Sequence, residues 1–358
     1  MKLTLETALC EQFRIRYPIF LAGMAGGPST PELTAAVSEA GGLGTLGAAY
    51  MEPEAIRAAI LRIRELTASP FGVNLFVVRA DDDYTGIRDV QRELDKVRDR
   101  LGIPRAAESN VTSPNLFHQQ IAVLLEEKVP VISTAFGVLP EPYMSEAKSA
   151  GLLVVTMVTT VKEAQLAEQA GSDAVVAQGS EAGGHRGTFD IDEQPMGANI
   201  GTMALVPQIV DKLSIPVLAA GGIMDGRGLA ASLALGAQGV QLGTRFLTAA
   251  ESGTNPAYRK ALLASDEQST VLTKAFSGRP ARGIENAFIR EWNASGIAPL
   301  AFPTQNTATR DIRNAAAKQQ LDGYLSLWAG QGTRMLTDGQ PAGEIVAEVL
   351  EQAASIIH

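Results

Sequence analysis

Cysteine, histidine, aromatic residues and long apolar runs are all scarce in this chain. A single cysteine, Cys10, stands among 358 residues, which rules out a disulfide framework and a cysteine-rich metal site. Cys10 precedes the first expected strand and reads as structural. Only three histidines occur, with no His-x-x-x-His or His-Glu pairing, so no metal site is expected. No Gly-x-Ser-x-Gly elbow accompanies a second histidine, which argues against a serine hydrolase. The Rossmann fingerprint is missing too, so a dedicated dinucleotide site is not expected. No apolar run reaches the ~18 residues that span a bilayer. Glu6 and Glu11 interrupt any secretory h-region near the start. The expectation is a cytoplasmic protein without a membrane partner. Lys and Arg form no stripe, the formal net charge is −9 and the pI is near 5.0. Nucleic acid is therefore not an expected partner, and the acidic balance serves solubility.

What the chain does have is aliphatic bulk and glycine: 46% hydrophobic residues, 35 glycines and only 5% aromatics. That composition suits strands buried on both faces and closely packed helices, as in parallel α/β folds. Short apolar runs at 18–24, 43–48, 71–78, 129–135, 152–158, 174–178, 216–220 and 239–243 read as strands. Stretches of helical length separate them. In 54–67, Ile56, Ile60, Ile63 and Leu66 share one face of a 3.6-residue repeat. Thr30 reads as an N-cap, with Pro31 at the first helical position. Eight strand–helix units imply a closed (β/α)8 TIM barrel rather than an open sheet. The charged segment 80–112 interrupts the rhythm and reads as a solvated helical insertion on the outside. Residues 1–255 are assigned to the barrel, and 256–358 to a mostly helical cap or small second domain.

Barrel enzymes place their functional groups at the C-terminal ends of the strands. One loop there is chemically distinctive: Gln178-Gly-Ser-Glu-Ala-Gly-Gly-His-Arg-Gly187. A histidine among glycines is poorly placed for core packing. It is well placed beside a flat ligand that needs close backbone approach, which glycine permits, and histidine suits proton handling. Glycine clusters end the seventh and eighth strands, at Gly221-Gly222 and at Gln241-Leu242-Gly243-Thr244. Loops at those positions commonly bind phosphate through backbone N–H groups, although tight turns need glycine as well. Asn74 and Gln178 are polar residues on apolar strands. They suit either a satisfied core amide or the edge of a heteroaromatic ring. Met24 would line the face of such a ring or simply fill space. His118 reads as a surface residue on a helix.

These loops resemble the nitronate monooxygenase family, formerly called 2-nitropropane dioxygenases. The resemblance is carried by Pro18-Ile-Phe-Leu-Ala-Gly-Met-Ala-Gly-Gly27, Pro70-Phe-Gly-Val-Asn-Leu-Phe76 and the glycine–histidine loop. It continues through Ala219-Ala-Gly-Gly-Ile223, Gln241-Leu-Gly-Thr-Arg-Phe246, Ser277-Gly-Arg-Pro-Ala-Arg-Gly-Ile-Glu-Asn286 and Ser326-Leu-Trp-Ala-Gly-Gln331. It covers nearly the whole chain. It implies a TIM barrel that holds FMN non-covalently and detoxifies nitroalkanes. The implied reaction oxidises alkyl nitronates of the propionate 3-nitronate class with O₂, giving a carbonyl compound and nitrite, by one-electron transfer to the flavin. Carried over, Asn74, Gln178, Gly183, Gly184, Gly221, Gly222, Gln241, Leu242, Gly243 and Thr244 are expected FMN contacts. Gly23 and Met24 are expected beside the flavin ring.

His185 is the expected catalytic residue. It would orient a nitronate, or abstract the α-proton of a neutral nitroalkane. Met24, His185, Ser277 and Arg279 are the expected substrate contacts, whereas Tyr324 and Trp328 read as packing residues of the cap. The rival reading is an NAD(P)H-dependent FMN reductase of the same superfamily, an enoyl-acyl-carrier-protein or quinone reductase. A flavin-binding protein without turnover is the third reading, and the histidine argues against it.

Overall fold

The structure, a computed structural model, describes residues 4–78, 81–105 and 111–357. Eight parallel strands form its centre: β1 (Ile19–Leu21), β2 (Gly44–Gly47), β3 (Phe71–Phe76), β4 (Val131–Ala135), β5 (Leu153–Val158), β6 (Ala174–Gln178), β8 (Val217–Ala220) and β9 (Gly239–Leu242). Between β6 and β8 lies the two-residue β7 (Gly184–His185). Each barrel strand pairs with its neighbour in the order β1-β9-β8-β6-β5-β4-β3-β2. The bridge Phe20↔Leu43 joins β1 to β2 and closes the ring. The expected (β/α)8 barrel is the observed one, and every expected strand is present.

Strands and helices form where the sequence signals stand. Thr30 caps the helix Pro31–Glu39, its hydroxyl accepting from Leu33 N at 2.9 Å. Thr160 and Glu163 make a reciprocal capping box at the helix Val161–Gln169. Ile56, Ile60 and Ile63 are fully buried in the helix Pro53–Leu66. Two side-chain clusters fill the space between strands and helices, and a third, including Phe20, Val131, Val155, Val176 and Leu218, fills the lower end of the barrel.

Two expectations about the periphery change. Residue 80 and residues 106–110 of the expected insertion lie outside the described residues. The rest carries the helix Ile87–Leu101, which is not simply a solvated exterior element. Val90, Leu94, Val97 and Leu101 are buried with Phe276, Phe288 and Ile312. Arg98 is buried as well, donating to Asp311 at 2.7 Å, Asp95 at 2.9 Å, Gln91 at 2.7 Å and the Ala308 carbonyl at 2.9 Å. The insertion is amphipathic and seats the helix Arg310–Gln319.

The second change concerns the last helix, Ala342–Ile357, which was grouped with the cap. It packs between the helices Pro31–Glu39 and Gly226–Ala234, and its apolar face joins the barrel cluster. It therefore occupies the eighth position of the helical ring, and the division at residue 255 does not follow the packing. The remainder of the C-terminal part includes β10 (Thr270–Thr273) and β11 (Ala281–Ile284), which form an antiparallel sheet with β7.

Candidate active site

β7 fixes the glycine–histidine loop. His185 pairs with Ala281 and Gly184 with Arg282, so the loop is stitched to the C-terminal sheet rather than left free. Gln178, at the end of β6, completes the anchor. Its Nε2 donates to the His185 carbonyl at 3.0 Å, and its Oε1 accepts from Gly187 N at 2.8 Å. Arg186 is fully buried and donates to the carbonyls of Gly179, Gln178 and Ala198 at 2.8, 2.8 and 3.2 Å. Gly183 is required by close approach: a Cβ there would stand 2.4 Å from Gly330 N.

The His185 ring is held at one nitrogen. Nε2 lies 2.8 Å from Ser277 Oγ. That hydroxyl has one hydrogen, and it points to the Arg279 carbonyl at 3.0 Å. Ser277 therefore accepts from Nε2–H, and the neutral ring carries its proton on Nε2. Nδ1 then carries the lone pair, and His185 lines the cavity. Three aromatic rings surround the imidazole: Trp328 at 5.3 Å, Phe136 at 5.8 Å and Phe76 at 6.1 Å between centroids. Burial in this box, with the Arg279 and Arg313 charges adding to it, pushes the His185 pKa down to about 3. His185 is thus neutral across the physiological range.

Phe136 follows β4 with φ +75°, a left-handed conformation that bulky residues avoid. The constraint has a local consequence, since its ring is sandwiched between His185 and the Arg279 guanidinium, which stacks 4.0 Å from the ring centroid. Arg279 also donates to the Thr188 carbonyl. Burial lowers its pKa to about 10, so it remains charged.

A cavity of about 560 Å³ opens at the C-terminal ends of the strands, lined among others by Met24, Asn74, His185, Gln241, Thr244 and Trp328. The size is that of a small-molecule or cofactor site. Of the residues expected to contact FMN, Gly23, Met24, Asn74, Gln178, Gly183, Gly184, Gln241, Gly243 and Thr244 lie on its wall. Gly221, Gly222 and Leu242 do not. Leu242 is a buried barrel residue. Gly221 and Gly222 adopt φ +113° and +72°; Gly221 packs on Ala182 N and Thr202 Oγ1, and Gly222 faces Glu181, whose carboxylate accepts from Thr202 N at 3.0 Å at the start of the helix Thr202–Val210. Gln178 is on the wall, but both ends of its amide are engaged by the loop.

The expected substrate contacts divide in the same way. Met24 and His185 line the cavity, whereas Ser277 and Arg279 stand behind the wall, one on the histidine and one behind Phe136. Neither side chain reaches the cavity wall in this structure. Trp328, read from sequence as cap packing, is a wall residue. Tyr50, Phe76, Phe136, Tyr258, Arg310 and Arg313 also line the cavity and were not picked out by sequence. Phe76 was within reach, because it lies two residues beyond Asn74 on β3 and so faces the same way. His118 is exposed, as expected, with Nδ1 2.6 Å from the Tyr143 hydroxyl.

The site can take a flat ring against a wall of backbone and amide groups. Gly23 packs so closely on Asn74 that a Cβ would meet the Asn74 Cβ at 2.4 Å. A Cβ on Gly243 would come within 3.3 Å of Ala22 and 3.8 Å of the Met24 sulfur. Glycine is thus required by close packing at this part of the wall, and Asn74 and Gln241 add polar groups to it. Among the described residues no cluster of His, Cys, Asp and Glu could hold a metal ion. No helix among them is long and apolar enough to cross a membrane.

The model of the nitronate monooxygenase family matches residues 6–352. A probable nitronate monooxygenase of Staphylococcus saprophyticus is 42% identical over 356 residues, covering 99% of each chain. One from Staphylococcus aureus strain Newman is 44% identical, covering 98% of each. Among solved structures, nitroalkane oxidase from Streptomyces ansochromogenes superposes with a TM-score of 0.90 at 40% identity, covering 98% of each chain. FabK from Thermotoga maritima gives 0.77 at 32% identity, covering 99% of this chain and 98% of its own. The chain belongs to the nitronate monooxygenase family and is an oxidoreductase.

Proposed function

We propose that this enzyme oxidises alkyl nitronates, of the propionate 3-nitronate class, with O₂ to a carbonyl compound and nitrite, using FMN bound in the cavity. The observation that carries the reading is the neutral His185 on the wall of an aromatic-lined cavity. A nitronate arrives already deprotonated. A histidine whose conjugate acid has a pKa of about 3 is a weak base for a carbon acid, since each pKa unit of mismatch is about 1.4 kcal/mol. The site is better matched to an anion than to a neutral nitroalkane.

Gly23, Met24, Asn74, Gln241, Gly243 and Thr244 would hold the cofactor. When bound, FMN supplies the redox chemistry that no side chain here can perform. The protein's own contribution is placement and electrostatics. Phe76, Phe136 and Trp328 exclude water from the reacting centre, and a drier centre strengthens every charge interaction within it. Burial is the main cause of the low His185 pKa, so the ring stays neutral when an anion enters, even though the negative charge opposes the influence of Arg279 and Arg313. His185 then serves to orient the nitronate rather than to ionise it.

The chain is also similar to FabK at 32% identity, and a second reading is an NAD(P)H-dependent FMN reductase, in which NAD(P)H reduces the flavin and an unsaturated substrate takes the hydride. One experiment separates the two. The yellow protein is mixed in air with propionate 3-nitronate or ethyl nitronate, without nicotinamide, while O₂ uptake and nitrite are followed. Oxygen consumption with nitrite release is the expected result. Absence of turnover, together with anaerobic bleaching of the flavin by NADH or NADPH, would move the assignment to a reductase.

A further inference from the structure

Arg313 differs from the other shielded arginines of this molecule in what surrounds it. Arg98 has two carboxylates, from Asp95 and Asp311. Arg245 has Glu348. Arg186 donates to three backbone carbonyls, and Arg279 covers an aromatic face away from the cavity. Arg313 lines the cavity, and the hydrogen bonds of its guanidinium run from one nitrogen, Nη2, to Asn306 O at 2.6 Å and Asn306 Oδ1 at 2.9 Å. Its Nε is buried with no partner, as are those of Arg186 and Arg279, so the distinction of Arg313 is its place on the cavity wall. No carboxylate forms an ion pair with it among the described residues, because Asp311 turns to Arg98 on another side of the helix.

One helical turn earlier, Arg310 lines the same cavity, tied among the described residues only to Thr307 Oγ1 at 3.3 Å. Tyr50 lies close enough to feel both charges, and His185 feels that of Arg313. The charged residues of the cavity wall are Arg310, Arg313 and Glu52, and Glu52 is exposed at the mouth. Asp311 acts on Arg313 from a distance but is paired with Arg98, and a shielded guanidinium with no ion-pair partner of its own is costly unless an anion arrives. Its planar fork matches an oxyanion with two oxygens.

We propose that Arg313 and Arg310, with Tyr50 beside them, form an anion subsite that binds a carboxylate at the far end of the substrate from the nitronate, and so set the preference for carboxylate-bearing nitronates over alkyl ones. This rests on the nitronate reading above. The helix Arg310–Gln319 brings both cations to one face of the cavity, and the insertion helix Ile87–Leu101 holds that helix in place. Arg313 and Arg310 are specificity residues here, and the redox step is not theirs.

The test compares kcat/KM for propionate 3-nitronate and for ethyl nitronate in the FMN-loaded wild type, Arg313→Met, Arg310→Met and Arg313→Lys. The expected result is a fall of about 10- to 100-fold in the ratio of the two for Arg313→Met, the size of a lost charge-assisted bond. Arg310→Met should lower the ratio less, because that side chain is exposed. Arg313→Lys, which keeps the charge, should recover part of it and guards against a Met variant that fails to fold. An unchanged ratio overturns the subsite. So does an equal loss on both substrates, which would assign Arg313 to the nitronate group itself. Loss of FMN from the variants with the ratio preserved would assign the pair to the cofactor phosphate and overturns it too. A second readout needs no turnover. Propionate, which is not oxidised, should quench the fluorescence of Trp328 on the cavity wall in the wild type and not in Arg313→Met. If wild type fails to oxidise any nitronate, the functional reading falls, while this titration still decides the subsite.

Discussion

Ser277 has one hydroxyl hydrogen, and the Arg279 carbonyl takes it. That single fact sets the tautomer of His185 and makes Ser277 a positioning residue. Ser277→Ala would leave a shielded Nε2–H without an acceptor, at about 1–3 kcal/mol, and would free the ring to rotate. A fall of about 10-fold or more in kcat/KM is expected, with recovery in Ser277→Thr. Because the chain has only three histidines, imidazole ¹⁵N shifts should resolve the tautomer directly. A protonated Nδ1 in the wild type would refute the assignment. The depressed pKa gives a second prediction at this scale. His185 is neutral in the folded state down to about pH 3, whereas the unfolded chain takes up a proton near 6.5. Stability is therefore lost as pH falls below about 6.5 and is unaffected above it. The slope is at most about 1.4 kcal/mol per pH unit, reduced because the ring is only partly buried. Between pH 6.5 and 5.5, His185→Gln should lose less stability to acid than the wild type, read from urea midpoints.

At the scale of elements, the loop from Gln178 to Ala198 behaves as a clamp, closed by Arg186 from inside and by β11 from outside. Arg186→Met removes the donor to three carbonyls at once. The expected loss is about 3–5 kcal/mol in denaturant unfolding, larger than any surface arginine would give. The barrel strands were legible in the sequence because eight apolar runs punctuated by glycine leave few alternatives. His185 was legible because glycine neighbours make a histidine conspicuous. Phe136 and Trp328 were not, since an aromatic residue beside an active site and one in a core look alike until tertiary contacts bring them to one ring. Arg310 and Arg313 carry no local signal either. They belong to a helix that meets the cavity only because the insertion helix packs behind it. That insertion read as solvated because its charge density hid the spacing Val90, Leu94, Val97, Leu101, which is the buried stripe.

For the molecule as a whole, the family match over residues 6–352 agrees with the packing, since the barrel is not complete until the chain has nearly ended. The helix Ala342–Ile357 buries Ile345, Val346, Val349 and Leu350 in the same cluster as Ile19, Leu33, Val37, Leu229 and Leu233. At about 1.5–3 kcal/mol for each large aliphatic side chain, those four contribute roughly 6–12 kcal/mol, comparable with the whole stability of a typical domain. A chain ending at residue 341 should therefore lose cooperative thermal unfolding and its bound flavin together, although none of the deleted residues lines the cavity. The contact also has a point test. Gly226 meets the helix so closely that a Cβ would lie 2.3 Å from Ala353 N, and backbone cannot yield as a flexible side chain does. Gly226→Val should lower the melting temperature markedly while leaving the ratio of carboxylate-bearing to alkyl nitronate turnover unchanged in the fraction that remains folded. If the shortened chain melted cooperatively within a few degrees of the full one, the last helix would be an appendage and not the closing segment of the barrel.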